Sequence, residues 1–542
     1  MKRYKKANEG IHAPEKVKEK AARPAGKRSY TRWAGAVAAV LAVAIIGGVA
    51  TWAGRRAGTP STLSNDEPGQ PIPYSENDPG QPRTIPEDPA NSGGGSHRAH
   101  ALSLAAYPAM HPYPKDEDFF ADIGDSEDAW DKADKAYGEA YAAWREDINA
   151  LRSNADYTGV MDEFLTRSTA QFLSDAGEEN RVYSPINVYM ALAMLAETTG
   201  ENSRQQILDL LQADSIEALR GQAQALWRDN YRDDGVVTSI LASSLWLRDD
   251  MTYSQDTLDT LANTYYASSF SGEMGSEEYN QALQDWLNEQ TRGLLAEQAE
   301  GLEFDARTVL ALASTIYFKA AWDGEFNQER TETDTFHAPS GDVDAEFMRK
   351  TTENTYYWGD HFAAMQLPFQ RGGSMWLILP DEGVSADELL QSGEAMEFLL
   401  HGKYGQWDEE AQETVGGWPG QKFLNINLSM PKFDVSSDLD LIDGLKELGV
   451  TDVFDMGVSN FVPLEASTTD PLYVGTAQHA ARVKVDEEGC EAAAYTVIMV
   501  GAGAEMPPDD EVDFTLDRPF LFAVTGDSGL PLFTGVVNQP NG

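Results

Sequence analysis

Two tetrapeptides hold residue types that carry out acyl chemistry. TAQH at 476–479 offers a histidine base, and GDSG at 526–529 offers a serine nucleophile. His479 and Ser528 are only 49 positions apart, too few to hold a barrel and the third, acidic member between them. The histidine motif also lacks a following cysteine, so an active peptidase is not expected, and GDSG reads better as a turn between strands. Cys490 is the only cysteine, which excludes an intramolecular disulfide framework and a cysteine-built zinc site. The eight histidines are scattered, and the closest pair, His97 and His100, lies in a Gly/Ser-rich stretch. No HExxH, GxxxxGK[ST] or GxSxG occurs. No metal, no cofactor and no enzymatic activity are expected.

The more informative stretch is VDEEGCEAAAYTVIMVGAGAEMPPDDEVDF, residues 485–514. No proline falls between Glu487 and Met506, and no charge interrupts 492–504. Read with a period of two, one face is Cys490, Ala492, Ala494, Thr496, Ile498, Val500 and Ala502, all small or apolar. The other face is Glu491, Ala493, Tyr495, Val497, Met499 and Gly501 and carries the charge and the bulky aromatic. The pattern suits a strand, but the alanine-rich first half has low strand propensity. From the pattern alone, an ordinary buried strand and a segment fit for a strand but not committed to one both remain open.

Other elements must hold this stretch. From about 158 to the end the chain is globular, with helical stretches alternating with strand-like runs such as FLNINLSM and TLDRPFLFAV. Residues 402–420 look like an exposed loop insert. Ahead of the body, Trp130, Tyr137, Tyr141, Trp144, Ile148 and Leu151 share one helical face within 126–152, and Ser126 with Asp128 forms a helix start. This helix belongs to an extension over 115–157 that is expected to dock on the body, the alternative being a partner-binding helix.

The charge is uneven: 41 Lys/Arg against 88 Asp/Glu give −47 overall. Residues 1–56 hold 13 Lys/Arg and 3 Asp/Glu, so the remainder stands at −57 and repels phosphate backbones. Nucleic acid is not an expected partner. Residues 33–54 carry no charge and, at ~33 Å as a helix, are long enough to cross a bilayer. The Lys/Arg-rich tail 1–32 places the N-terminus in the cytoplasm and the body outside, as a single-pass anchor in the cell membrane. A cleaved signal peptide and a core helix are the alternatives. Residues 55–114, rich in Pro, Gly, Ser and acid with PGQP at 68–71 and 79–82, read as a disordered spacer.

Several separated motifs, in this order and spacing, resemble the serpin family of serine protease inhibitors over 158–542. They are NRVYSPINVYMALAMLAETTGENSRQQILDLL (180–211), STIYFKAAWDGEF (314–326), MPKFDVSSDLDLIDGLKELGVTDVF (430–454), QHAARVKVDEEGCEAAA (478–494), FTLDRPFLFAV (514–524) and PLFTGVV (531–537). The resemblance implies an α+β fold of three β-sheets and about nine helices with an exposed reactive-centre loop, here about 487–510. It implies no chemistry of the protein's own. A target serine protease cleaves the loop and forms a covalent acyl-enzyme, and the freed hinge inserts as a new strand of the large sheet before hydrolysis completes.

By the same resemblance the hinge is Glu487, Glu488, Gly489, Cys490, Glu491, Ala492, Ala493, Ala494, Tyr495 and Thr496. It holds no proline and, past Glu491, no charge, the marks of non-inhibitory relatives, which remain the rival reading as binding modules. The family's hinge spacing places the scissile bond at Gly503–Ala504, with Ala502–Gly503 and Ala504–Glu505 as runners-up. All three present small residues, which fit the shallow pocket of an elastase-like or subtilisin-like protease. Asp509, Asp510, Glu511 and Asp513 either steer a cationic protease or echo the acidic body. Ser184 and His479 match a shutter pair, Trp322 the breach tryptophan, and Lys432 with Glu487 a breach ion pair. Asn187 stands where a second serine is common and Ser314 where asparagine is common. Cys490 replaces a usual threonine or serine, and Tyr495 a usual alanine. The implied protein is a monomeric, membrane-anchored inhibitor on a bacterial surface.

Overall fold

The computed structural model describes residues 95–540, apart from 122, 124–125, 154–156, 307, 403–405, 409–412, 416–417, 468–471 and 491–509. The anchor candidate 33–54, the spacer as far as residue 94, the hinge from Glu491 to Thr496 and the bond positions Ala502 to Glu505 lie outside them. Among the described residues no helix is long and apolar enough to cross a membrane. Nor does any group of His, Cys, Asp and Glu among them suit a metal ion.

The site rests on an eight-stranded sheet. In chain order its strands are β1 (Ala101–Ser103), β2 (Arg232–Asp233), β3 (Thr238–Arg248), β4 (Ala267–Gly272), β5 (Leu310–Ala321), β6 (Phe433–Asp440), β7 (Val474–Val485) and β8 (Gly489–Cys490). Across the sheet the order is β1-β4-β3-β5-β8-β7-β6, with β2 paired to β3. The interior strands β3 and β5 are buried along nearly their whole length, as strands covered on both faces are.

A second sheet has nine strands and runs from Glu511–Thr515 through Gln421–Pro431, Gly341–Trp358 and Phe520–Thr525 to Arg181–Tyr183. Its strand Gly341–Trp358 is 18 residues long and pairs with three neighbours. This one strand fuses what the sequence reading counted as separate sheets, so two large sheets replace the expected three. Two two-stranded ribbons complete the strands, and one of them, Gln406–Asp408 with Glu413–Val415, lies in the insert read as a loop. The described residues hold twelve α-helices, ten of them in the body, rather than about nine.

Three helices matter below: α1 (Glu127–Leu151), α2 (Pro185–Thr198) and α3 (Glu277–Gln290). Every residue of α2 is buried. Its Ala, Leu and Met side chains are apolar all round, so it packs between the two large sheets. Its one acid, Glu197, is 5 % exposed and is held by both guanidinium arms of Arg220 at 2.8 and 2.6 Å and by the Tyr265 hydroxyl at 3.0 Å.

The predicted helix over 126–152 is α1. Only its C-terminal half meets the body, through buried Trp144 and Leu151, and the Trp144 indole donates to Asp234 Oδ2 at 2.9 Å. Trp130 is 48 % exposed and stacks on Phe120. Residues 95–114 correct the spacer reading. They form a turn at Ser96–His100, add β1 to the sheet edge and bury His97, Met110 and Tyr113. Single anchoring side chains without periodicity leave no helix or strand signal in a Gly/Ser/Pro-rich stretch.

Candidate functional site

The large sheet is open in its middle. β5 and β7 run parallel and pair from Val474 opposite Leu310 to His479 opposite Ser314. Beyond Ser314 each keeps only its outer partner. β5 pairs with β3 as far as Thr238, and β7 pairs with β6 as far as Phe433. Among the described residues no strand lies between Thr315–Lys319 and Ala480–Lys484. The mouth of this cleft is closed by β8. Gly489 and Cys490 pair antiparallel with Ala321 and Ala320 of β5, and Cys490 also pairs with Val485 of β7.

The turn leading into β8 is tightly held. The Asp486 amide donates to the Gly489 carbonyl at 3.1 Å, and Asp486 Oδ1 accepts from the amides of Glu488 and Gly489. The Trp322 indole donates to the Asp486 carbonyl at 2.9 Å, and the Trp322 amide donates to the Glu488 carbonyl at 3.0 Å. Trp322 itself stacks on Phe369 with centroids 4.9 Å apart. Lys432 Nζ lies 2.8 Å from Glu487 Oε1, the ion pair expected from the sequence. The Thr331 hydroxyl donates to the same oxygen at 2.7 Å. Burial alone raises the Glu487 carboxyl; Lys432 and Thr331 outweigh it, and the group sits below its ordinary range. Thr331 had no sequence signal, because its partner is 156 residues away.

At the closed end, His479 is fully buried. Its Nε2 accepts from the backbone amide of Ser184 at 3.0 Å, so the Ser184–His479 contact runs through the main chain and not the hydroxyl. The Ser184 hydroxyl and His479 Nδ1 have no hydrogen-bond partner among the described residues. Burial pulls the imidazole down to about 4. The two departures at Asn187 and Ser314 meet each other, since Asn187 Nδ2 donates to Ser314 Oγ at 3.2 Å.

The GDSG turn holds no catalytic pair. Ser528 Oγ donates to Asn230 Oδ1 at 2.8 Å, and Asp527 takes Arg232 and Arg152. The far end of the loop is anchored too, which the sequence did not reveal. Lys422 Nζ meets Asp510 Oδ2 at 2.6 Å, the Asn425 amide donates to the Asp510 carbonyl, and Glu511–Thr515 enters the second sheet. Asp510 is therefore neutralised locally rather than available for steering, and Asp513 accepts from Asn427 at 3.0 Å. Residues 491–509 thus join two fixed points, β8 and Asp510.

Comparison with known proteins agrees with this geometry. A family model described as serpin (serine protease inhibitor) matches residues 160–540. The chain is 28 % identical over 385 residues to Serpin-Z10 of Arabidopsis thaliana, covering 68 % of this chain and 93 % of that protein. It is also 28 % identical over 368 residues to the leukocyte elastase inhibitor of Sus scrofa, covering 67 % and 93 %. The native state of the thermophilic serpin tengpin superposes with a TM-score of 0.61 at 24 % identity, covering 72 % of this chain and 96 % of that one. The family match spans the open sheet, the seated hinge and the buried helix beneath them, and on it the chain belongs to the serpin family.

Proposed function

We propose that the protein inhibits a serine protease as a suicide substrate, its loop being cleaved and then inserted between β5 and β7. The observation that carries this reading is the seated hinge at the mouth of an open sheet. Two registers can be continued from it. Along β5, Gly489 opposite Ala321 and Cys490 opposite Ala320 lead to Ala492 opposite Phe318, Ala494 opposite Ile316 and Thr496 opposite Ser314. Along β7, Cys490 opposite Val485 leads to Ala492 opposite Val483, Ala494 opposite Ala481 and Thr496 opposite His479. The two continuations converge, because Ser314 and His479 are already partners. Residues 491–495 would fill the cleft as it stands, and from Thr496 onward insertion must part the β5–β7 ladder.

The chemistry belongs to the protease. Its serine attacks the carbonyl of Gly503, the Ala504 amine leaves, and the acyl-enzyme ester forms. The piece from Glu491 to Gly503 then inserts, while the piece beyond Ala504 stays with the second sheet through Asp510 and Lys422. The small residues at the bond, with Ala502–Gly503 and Ala504–Glu505 as alternatives, favour an elastase-like or subtilisin-like target. The name of the porcine relative supports the same direction. The protein acts as a monomer, tethered to the cell membrane by 33–54 with the tail 1–32 cytoplasmic and the inhibitory body outside a bacterial cell.

The test is incubation of the full chain with pancreatic elastase, followed by denaturing electrophoresis and mass spectrometry of the released peptide. A detergent-stable complex, with a peptide beginning at Ala504, is expected. Clean cleavage without complex, by elastase and by subtilisin alike, would overturn inhibition and favour the binding-module reading.

A further inference from the structure

A strap crosses the open part of the sheet. Helix α3 lies against β3, where the Tyr279 hydroxyl donates to the Leu247 carbonyl at 3.0 Å and accepts from its amide at 3.1 Å. Past the helix, the Arg292 guanidinium sits 5.4 Å from the centre of the Tyr317 ring on β5 and pairs with Asp233 at 2.8 Å. Two residues later, the Leu294 carbonyl accepts from Arg482 of β7 at 3.1 Å. Arg482 is fixed in turn by both oxygens of Asp434, each at 2.8 Å. The parallel register that pairs His479 with Ser314 sets Arg482 opposite Tyr317, so these residues are the two lips of the cleft. The chain from Arg292 to Leu294 bridges them, and widening the cleft must break one of its two attachments.

The N-terminal segment holds that bridge from the other side. Ser96 Oγ donates to Asp285 Oδ2 at 2.6 Å, and the Ser96 amide reaches the same oxygen at 3.3 Å. His97 Nε2 lies 3.1 Å from Glu289 Oε2, and Arg98 Nη2 lies 3.2 Å from Glu289 Oε1. The Tyr107 hydroxyl donates to Gln290 at 3.4 Å. Three of these acceptors, Asp285, Glu289 and Gln290, are on the last turns of α3, immediately before the strap. His97 is 4 % exposed and packs edge-on against Phe270 of β4. A Cβ on Gly95 would lie 2.7 Å from the His97 ring, so the turn admits little else there. β1 then ties the same segment to β4.

We propose that residues 95–107 form a clamp on α3 that keeps the strap closed over the cleft and slows strand insertion. This rests on the reading of the cleft as an insertion site, and the test separates the two. The full chain in detergent is incubated with a synthetic peptide of the sequence 491–503, and uptake is followed by the rise in thermal midpoint. Glu289→Gln, which removes the His97 and Arg98 pairs with little change of shape, is expected to take up peptide roughly three- to tenfold faster. Arg98→Gln, at an exposed side chain, is expected to give a smaller acceleration of about twofold. Equal uptake by folded wild type and both variants would overturn the clamp and leave the cleft reading intact. No uptake by any of them would overturn the cleft reading and the clamp with it. Hydrogen exchange at Arg292–Leu294 gives an independent readout, expected to quicken in Glu289→Gln, and unchanged exchange counts against the clamp.

Discussion

A side chain at Gly489 has no space to occupy. Its Cβ would fall 2.3 Å from the Ala320 carbonyl oxygen and 2.8 Å from Ala321 Cα, both backbone atoms that cannot swing away. Gly489→Ala is therefore expected to lift β8 from the mouth of the cleft. Cys490, the only cysteine and 2 % exposed, reports this directly. A thiol reagent should label the variant at least about tenfold faster than wild type, and equal rates would contradict the seated hinge. His479 makes a second residue-scale prediction. Its folded value is about 4 and its ordinary value 6.5, because burial disfavours the charged ring. Above pH 6.5 neither folded nor unfolded chain carries the proton. As pH falls from 6.5 towards 4 only the unfolded chain gains it, so stability drops by up to about 3 kcal/mol, with no further loss below. Denaturant titrations at pH 7 and pH 4.5 should show this, and His479→Gln should flatten it; an unaltered slope would place the effect elsewhere. Resemblance made Ser184, His479, Lys432 and Glu487 legible as residues. It did not show that His479 bonds the main chain of Ser184, or that Asn187 and Ser314 bond each other. Those depend on which atoms face each other, which residue types do not determine.

At the scale of elements, the argument turns on register. On the proposed insertion, Ala494 would come opposite Ile316, 1 % exposed, and Ala481, fully buried. Ala494→Arg would place an unpaired charge there, at a cost of several kcal/mol. The variant is expected to be cleaved at the normal rate but to form at least about tenfold less stable complex. Unchanged complex yield would contradict insertion in this register. A period of two sorts 490–502 into a small, apolar face and a mixed one, a sequence reading whose residues past Cys490 lie outside the described ones. The register was not legible in the sequence, because it follows from where β5 and β7 stop pairing. α1 was legible from its aromatic spacing. Its docking by one half only was not, because Trp130 and Trp144 look alike in the pattern and differ only in what lies beneath them.

At the scale of the whole molecule, the chain joins an acidic body to an N-terminal extension that returns to its own sheet. Composition placed residues 95–114 with the spacer, yet they bury His97, Met110 and Tyr113 and add an edge strand. The central claim is that the open sheet accepts the loop as a strand. It is tested most directly by nicking the loop within 491–509 with a small amount of subtilisin, removing the protease and comparing thermal midpoints. Insertion adds a strand bonded on both edges, so the cleaved form is expected to melt about 10 °C or more above the intact protein. A cleaved form that melts at or below the intact value would contradict insertion, and with it inhibition by this route.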